Sequence, residues 1–233
     1  MINDYNICPL YSNGSLSCVY KGTHKTKNKN AIIKFSYDYI TKKLIENEIN
    51  IYLYLKKKKY NYIPNIINTG LHNNQKFIIT EYKNIPLTFV NYDIINQLFN
   101  IITTLHQNNI IHRDIKPDNF LIQDKKVYII DFGLSTFYSE THKIKKMIGN
   151  WKYCSYNCLK DEYKYDYKDD IISIIYMILH LHNRVLPWNK ENYKHKGLVD
   201  LKKYYDINDN INHHLIHIYN NINNINYSLL HLP

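Results

Sequence analysis

The sequence predicts an α+β fold in two lobes, a small β-rich amino-terminal lobe with one main helix and a larger, mainly helical carboxy-terminal lobe. Three observations predict it. Short β-type runs come first, a strongly periodic helix interrupts them, and after the breaker Asn84-Ile85-Pro86 nearly every periodic segment is helical. In chain order, residues 18–20 and 31–35 read as strands. Residues 40–57 read as a helix, because Leu44, Ile45, Glu48, Ile51, Tyr52 and Leu55 recur at helical spacing. Residues 66–67 and 76–80 are two more strands, and a junction falls at 82–85. Helices are expected at 92–107, 169–182 and 213–219, with short strands at 120–122 and 127–130.

Composition narrows the class. At 233 residues the chain can bury a real core. Residues 1–5 lack the basic start and apolar run of a secretory signal, and the longest apolar stretch, 171–181, is about half of the ~20 residues a membrane span needs. A soluble, intracellular protein of the cytoplasm is the expectation, with the lysine run 56–59 as the one feature that would suit nuclear import. Cys8, Cys18, Cys154 and Cys158 match no zinc spacing and are expected to be reduced thiols. The net charge of +10 would suit nucleic acid, but arginine occurs only at 113 and 184 and alanine only at 31, while Ile, Asn, Lys and Tyr abound. AT-rich coding accounts for that lysine excess, so nucleic acid is not an expected partner. Asn-rich residues 220–226 read as a loop in the same codon bias.

The chemistry is concentrated in His112-Arg113-Asp114-Ile115-Lys116-Pro117-Asp118-Asn119 and in Asp131-Phe132-Gly133. These supply what phosphoryl transfer requires. Asp114 can accept the proton of an attacking hydroxyl, and Lys116 can neutralise the group in transfer. Asn119 and Asp131 can hold a metal that bridges nucleotide phosphates. Magnesium takes hard oxygen ligands and keeps its own waters, so one carboxylate and one amide suffice. An isolated aspartate is usually a turn former; Arg113, Lys116 and Asn119 around Asp114 make that reading poor.

With its adjoining segments, this pattern resembles the protein kinases over nearly the whole chain, and within them the casein kinase one group that includes the vaccinia-related kinases. Phe120-Leu121 after the catalytic string carries the finer likeness, together with the segment 149–157 (Gly-Asn-Trp-Lys-Tyr-Cys-Ser-Tyr-Asn), Asp169-Asp170-Ile171-Ile172-Ser173, Leu186-Pro187-Trp188 and the late segment 225–230. The resemblance implies a single kinase domain over 1–233, with lobes 1–81 and 86–233, a hinge at 82–85 and a trimmed carboxy terminus. It implies ATP and Mg2+, with Mn2+ as a substitute metal.

The same resemblance assigns roles. Lys34 would meet the α- and β-phosphates, and Glu48 would hold that lysine. Ser12, Gly14, Ser17 and Val19 would form the loop over the phosphates, in which only the middle glycine of three remains. Thr80 would guard the back of the adenine pocket, and the backbone of Glu81, Tyr82 and Lys83 would meet the base. Gly133 would permit a sharp turn after Phe132. Asp170 would cap the long helix and hold the catalytic loop. Lys116 implies transfer to serine or threonine. Ser135, Thr136, Ser139 and Thr141 lie in the activation segment and read as solvated loop residues. Lys143, Lys145 and Lys146 would favour acidic or already phosphorylated protein substrates, and a monomer is expected. Two alternatives stay open: a pseudokinase acting as a binding scaffold, which the eroded glycine loop favours, and a small-molecule kinase, against which Arg113 and Lys116 speak.

Overall fold

The computed structural model describes residues 2–8, 12–14, 17–83, 85–183, 186, 188 and 202. The expected helix 213–219, the late segment 225–230, the Asn-rich residues 220–226 and Arg184 lie outside the described residues. In chain order the strands and helices are β1 (Tyr5–Ile7), β2 (Ser12–Gly14), β3 (Ser17–His24), β4 (Asn30–Phe35), α1 (Tyr39–Lys57), β5 (Ile66–His72), β6 (Gln75–Glu81), β7 (Ile85–Pro86), α2 (Tyr92–Gln107), β8 (Ile110–Ile111), β9 (Phe120–Gln123), β10 (Lys126–Ile129), β11 (Thr136–Phe137) and α3 (Tyr167–Asn183). They form two compact units, Met1–Ile85 with Leu121–Ser135, and Pro86–Phe120 with Thr136–Pro233. The segment carrying Asp131 thus groups with the β-rich unit, whereas the linear reading placed it with the helical one.

In the β-rich unit an antiparallel sheet runs in the order β1-β3-β4-β6-β5, with β2 paired to β3. Alternation along β4 sends Ala31, Ile33 and Phe35 to one face, where they join Ile2, Tyr5, Phe77 and Ile79 in a buried cluster. Ile32 and Lys34 take the other face. Helix α1 starts at a capping box: Thr41 N donates to Asp38 Oδ1 (2.7 Å) and Asp38 N donates to Thr41 Oγ1 (3.0 Å). Its buried stripe includes Ile45, Glu48, Ile51, Tyr52 and Leu55 from the face read from the sequence, whereas Leu44 is only half-buried and Ile49 is buried in addition. The run Lys56–Lys59 is exposed at the end of α1, where positive charge suits the helix dipole. Strands β5 and β6 are longer than 66–67 and 76–80, because the turn Asn73-Asn74 adopts positive φ at both residues and lets pairing run from His72↔Gln75 inward. Asparagine tolerates that conformation.

In the helical unit α2 is capped by Asn91, whose side chain accepts from Ile94 N, and it packs on α3. Leu98, Ile101, Ile102 and Leu105 are fully buried, as are Ile174, Met177 and Ile178 of α3. Trp188 is fully buried and its Nε1 donates to Lys152 O (2.8 Å), which ties Trp188 to the 149–157 segment. All four cysteines are free thiols, and no helix of the described residues is long and apolar enough to cross a membrane. Ile33→Ala, which empties the centre of the outer sheet face, is expected to cost about 2–5 kcal/mol. Chemical denaturation checks this, and a smaller loss would mean that the cluster collapses around the cavity.

Candidate active site

The pairing register, read with strand alternation, collects the residues expected around a nucleotide onto one face of the β-rich sheet. Ser12 lies opposite Val19, Gly14 opposite Ser17, Val19 opposite Lys34, Lys34 opposite Ile78, and Ile32 opposite Thr80. Directly opposed residues of an antiparallel pair share a face, so Ser17, Val19, Lys34 and Thr80 form one surface, with the backbone of Ser12 and Gly14 paired beside it. The stretch expected to cover phosphates is a β2–β3 hairpin.

Lys34 is the hub of that surface. Its Nζ lies 2.7 Å from Glu48 Oε2 on α1 and 2.7 Å from Asp131 Oδ1. Burial alone would push the Lys34 ammonium down, but the Asp131 and Glu48 carboxylates outweigh it and hold it above its ordinary value. Glu48 is raised, by burial first and then by the like charge of Asp131, even though Lys34 opposes both. Two carboxylates thus share one ammonium.

The Asp131 segment is held from α1. Asn47 Nδ2 lies within hydrogen-bond distance of the carbonyls of Phe132 (3.2 Å), Gly133 (3.0 Å) and Ser135 (2.9 Å), which share its two N–H groups. Tyr52, one turn beyond Glu48, meets the buried Phe132 ring edge-on at 5.2 Å. Asn47 was not foreseen; its only sequence signal is its place next to Glu48 in an Asn-rich chain. Gly133 needs correction. Its φ is ordinary, and an added Cβ would sit 3.6 Å from Leu44 Cβ and Asp131 Oδ1, an ordinary contact. The left-handed residue of the turn is Asp131 itself, at φ 67°.

Of the expected hinge residues, Glu81 and Lys83 turn their side chains toward a cavity of about 400 Å³, where Lys83 Nζ bonds Glu81 Oε1 at 2.8 Å. Tyr82 presents its ring to Lys21 Nζ, 4.7 Å from the centroid. Lys83 is buried, which a residue expected to act through its backbone alone did not foretell.

The catalytic string is organised within the helical unit. Asp114 is buried, and its Oδ2 accepts from Lys116 Nζ (2.7 Å) and Asn119 Nδ2 (3.1 Å). Asn119 Nδ2 also donates to Asp114 O at 2.7 Å. The amide nitrogen of Asn119 is thus committed to Asp114, which leaves its Oδ1 as the hard oxygen a magnesium ion would take. Asp131, in the β-rich unit, offers a carboxylate, so each of the two residues taken singly has the oxygen donor that suits Mg2+ or Mn2+.

The backbone of that string hangs from Asp170. Its Oδ2 accepts from His112 N (2.7 Å) and its Oδ1 from Arg113 N (2.9 Å), while His106 Nε2 lies 3.1 Å from Oδ2. Burial alone would raise the Asp170 carboxyl; His106 and His112 hold it below its ordinary value. Asp170 does not cap α3, because it sits inside the first turn. Its role is to hold the loop, with His106 as a partner that the sequence reading missed. Arg113 adopts φ 67°. Gly149, at φ 90°, is required there: a Cβ would lie 2.0 Å from Arg113 O.

The activation segment differs from the expectation at Ser135, which is buried, unlike Thr136, Ser139 and Thr141. Lys145 and Lys146 are exposed, and Lys143 reaches Glu162 only at 3.9 Å.

Residues 11–232 match the protein kinase domain family, and the chain belongs to that family. Over 94 residues, 37% of this chain, it is 42% identical to the calcium-dependent protein kinase 4 of Plasmodium falciparum (isolate 3D7), and it matches the Plasmodium berghei (strain Anka) protein of the same name to the same degree. The match spans 17% of each relative's length. Both names are those of calcium-dependent kinases, whereas the motifs pointed to the casein kinase one group.

Two outcomes test the helical half. Gly149→Ala, which must displace the Arg113 carbonyl, is expected to lower phosphoryl transfer on the order of 10²-fold, read from initial rates at saturating ATP; unchanged rates would mean that the loop tolerates the shift. Adjacent Asp169 gives a pH signature. Burial raises its carboxyl from 3.8 to about 6. The stability this contributes is therefore complete below the unfolded value and is lost as pH rises through about 6, a change of up to about 3 kcal/mol. Asp170, held low, acts oppositely and in more acid solution: its contribution is present above the unfolded value and lost as pH falls. Denaturation midpoints from about pH 4 to 7 should fall for the wild type and stay flatter for Asp169→Asn.

Proposed function

We propose that this protein transfers the γ-phosphoryl group of ATP to serine or threonine hydroxyls of protein substrates. The observation that carries the proposal is Lys34 Nζ bonded at once to Glu48 and Asp131, on the sheet face that also holds Ser17, Val19 and Thr80. In this reading Lys34 binds the α- and β-phosphates, and Glu48 orients it. Asp131 and Asn119 hold Mg2+, which supplies charge neutralisation at the phosphates. Asp114 orients the substrate hydroxyl and takes its proton. Lys116, already on the Asp114 carboxylate, neutralises the group in transfer and supports the serine/threonine assignment. The enzyme's work is positioning and charge placement.

The casein kinase one type is proposed for the segment 149–157, in which Gly149 meets the catalytic loop and Ser155 Oγ donates to Asp169 Oδ1 (2.6 Å). Exposed Lys145 and Lys146, with the loosely held Lys143, support a preference for acidic or phosphorylated substrates.

Transfer of radioactive phosphate from ATP to casein, and to the protein itself, tests the reading. Wild type should exceed Asp131→Asn by on the order of 10²-fold or more. Equal incorporation would leave a nucleotide-binding or scaffold protein. Transfer to a small alcohol and to no protein would make it a small-molecule kinase.

A further inference from the structure

Glu48, Tyr52 and Lys56 follow one another at four-residue spacing along a single face of α1. That face leads from the Lys34–Asp131 pair to a second site inside the same unit. There a cavity of about 400 Å³ lies between the end of α1, the loop before β5, the end of β6 and strand β10. The volume suits a small ligand.

Its charge is one-sided. Lys56, Lys59, Lys83 and Lys126 line it against one carboxylate, Glu81, for a formal charge of +3. The Lys83 side chain is 5% exposed and is held by Glu81 at 2.8 Å. Glu81 is itself shared, because its other oxygen accepts from Asn65 Nδ2 at 3.1 Å. Lys83 and Lys126 both lie over the Tyr128 ring, 4.3 and 5.1 Å from its centroid. Lys56 and Lys59 stand exposed on the rim, with no ion-pair partner among the described residues. Tyr52, Tyr60, Tyr128 and Pro64 also line the cavity.

A cavity lined by four lysines against one carboxylate, with three tyrosine side chains among them, is complementary to a multiply charged anion on a flat body. A carboxylate brings one charge, whereas a phosphate monoester brings close to two. We propose that this cavity is a binding site for an aryl phosphate, separate from the face that carries Lys34. The group could be presented by phosphotyrosine in a protein segment or by a free small molecule; the phosphate on an aromatic ring is common to both.

Isothermal titration of the full chain tests this with four probes: phenyl phosphate, a short Gly/Ser peptide with one phosphotyrosine, its unphosphorylated counterpart, and inorganic phosphate. Phenyl phosphate and the phosphopeptide should bind, with or without saturating ATP and Mg2+, and the unphosphorylated peptide should not. A tighter phosphopeptide assigns the site to protein segments; equal affinity assigns it to small aryl phosphates. The double variant Lys56→Gln/Lys126→Gln should weaken both by about tenfold while melting at the wild-type temperature. The site is overturned if neither probe binds at millimolar concentration, if the double variant binds undiminished, if ATP displaces the probe, or if inorganic phosphate binds as tightly as phenyl phosphate. Direct measurement of ATP binding in the same cell keeps this result separate from the kinase reading, since either site can fail alone.

Discussion

One buried ammonium shared by two carboxylates, Lys34 between Glu48 and Asp131, is the constraint on which the β-rich unit is built. Each partner arrives by a different local rule. Strand alternation puts Lys34 on the face opposite the apolar cluster, helical phase puts Glu48 on the buried stripe of α1, and a left-handed backbone at Asp131 turns its carboxylate toward the lysine. A buried ion pair adds little net stability, because desolvation cancels most of its attraction. Its presence here therefore points to chemistry. Asn47 and the Tyr52–Phe132 contact bind the Asp131 segment to the same helix, so a shift of α1 would move carboxylate, ammonium and aromatic ring together.

The helical unit solves its positioning problem in a parallel way. Asp170, buried on the first turn of α3, accepts both backbone N–H groups at the start of the catalytic string, and that string then folds back so that Lys116 and Asn119 meet the Asp114 carboxylate. Strain gathers at the residues beside the chemistry. Arg113 and Asp131 are both left-handed without being glycine, and Gly149 is left-handed because the Arg113 carbonyl leaves no room for a side chain. Elsewhere positive φ falls mainly on Asn and Asp in turns, where it costs little.

Much of this was legible from residue spacing. Helix α2 spans the residues 92–107 expected for it, and α1 begins one residue early because Asp38 and Thr41 form a capping box. Lys34 bonds Glu48 and also Asp131, a contact that was not foreseen, and Asp114, Lys116 and Asn119 form a second bonded group. What escaped the sequence depends on tertiary neighbours. Asn47 looks like any other asparagine until three carbonyls converge on it. His106 ends a helix with no motif around it, and Lys83 is one lysine among many until Glu81 and Tyr128 enclose it. Gly133 misled for a related reason: a glycine after Asp-Phe reads as the turn residue, yet the unusual dihedral is taken by Asp131.

The central claim is that the charge shared among Lys34, Glu48 and Asp131 organises a metal–nucleotide site, and the magnesium dependence of ATP affinity tests it most directly. Titrations of wild type and Glu48→Gln with ATP, each with and without Mg2+, isolate the carboxylate that orients Lys34 without touching Asp131. The account predicts that wild type binds ATP more tightly with Mg2+, and that Glu48→Gln weakens binding by at least about tenfold while keeping that Mg2+ dependence. Equal affinities in the two proteins, or ATP binding indifferent to Mg2+ in the wild type, would contradict it.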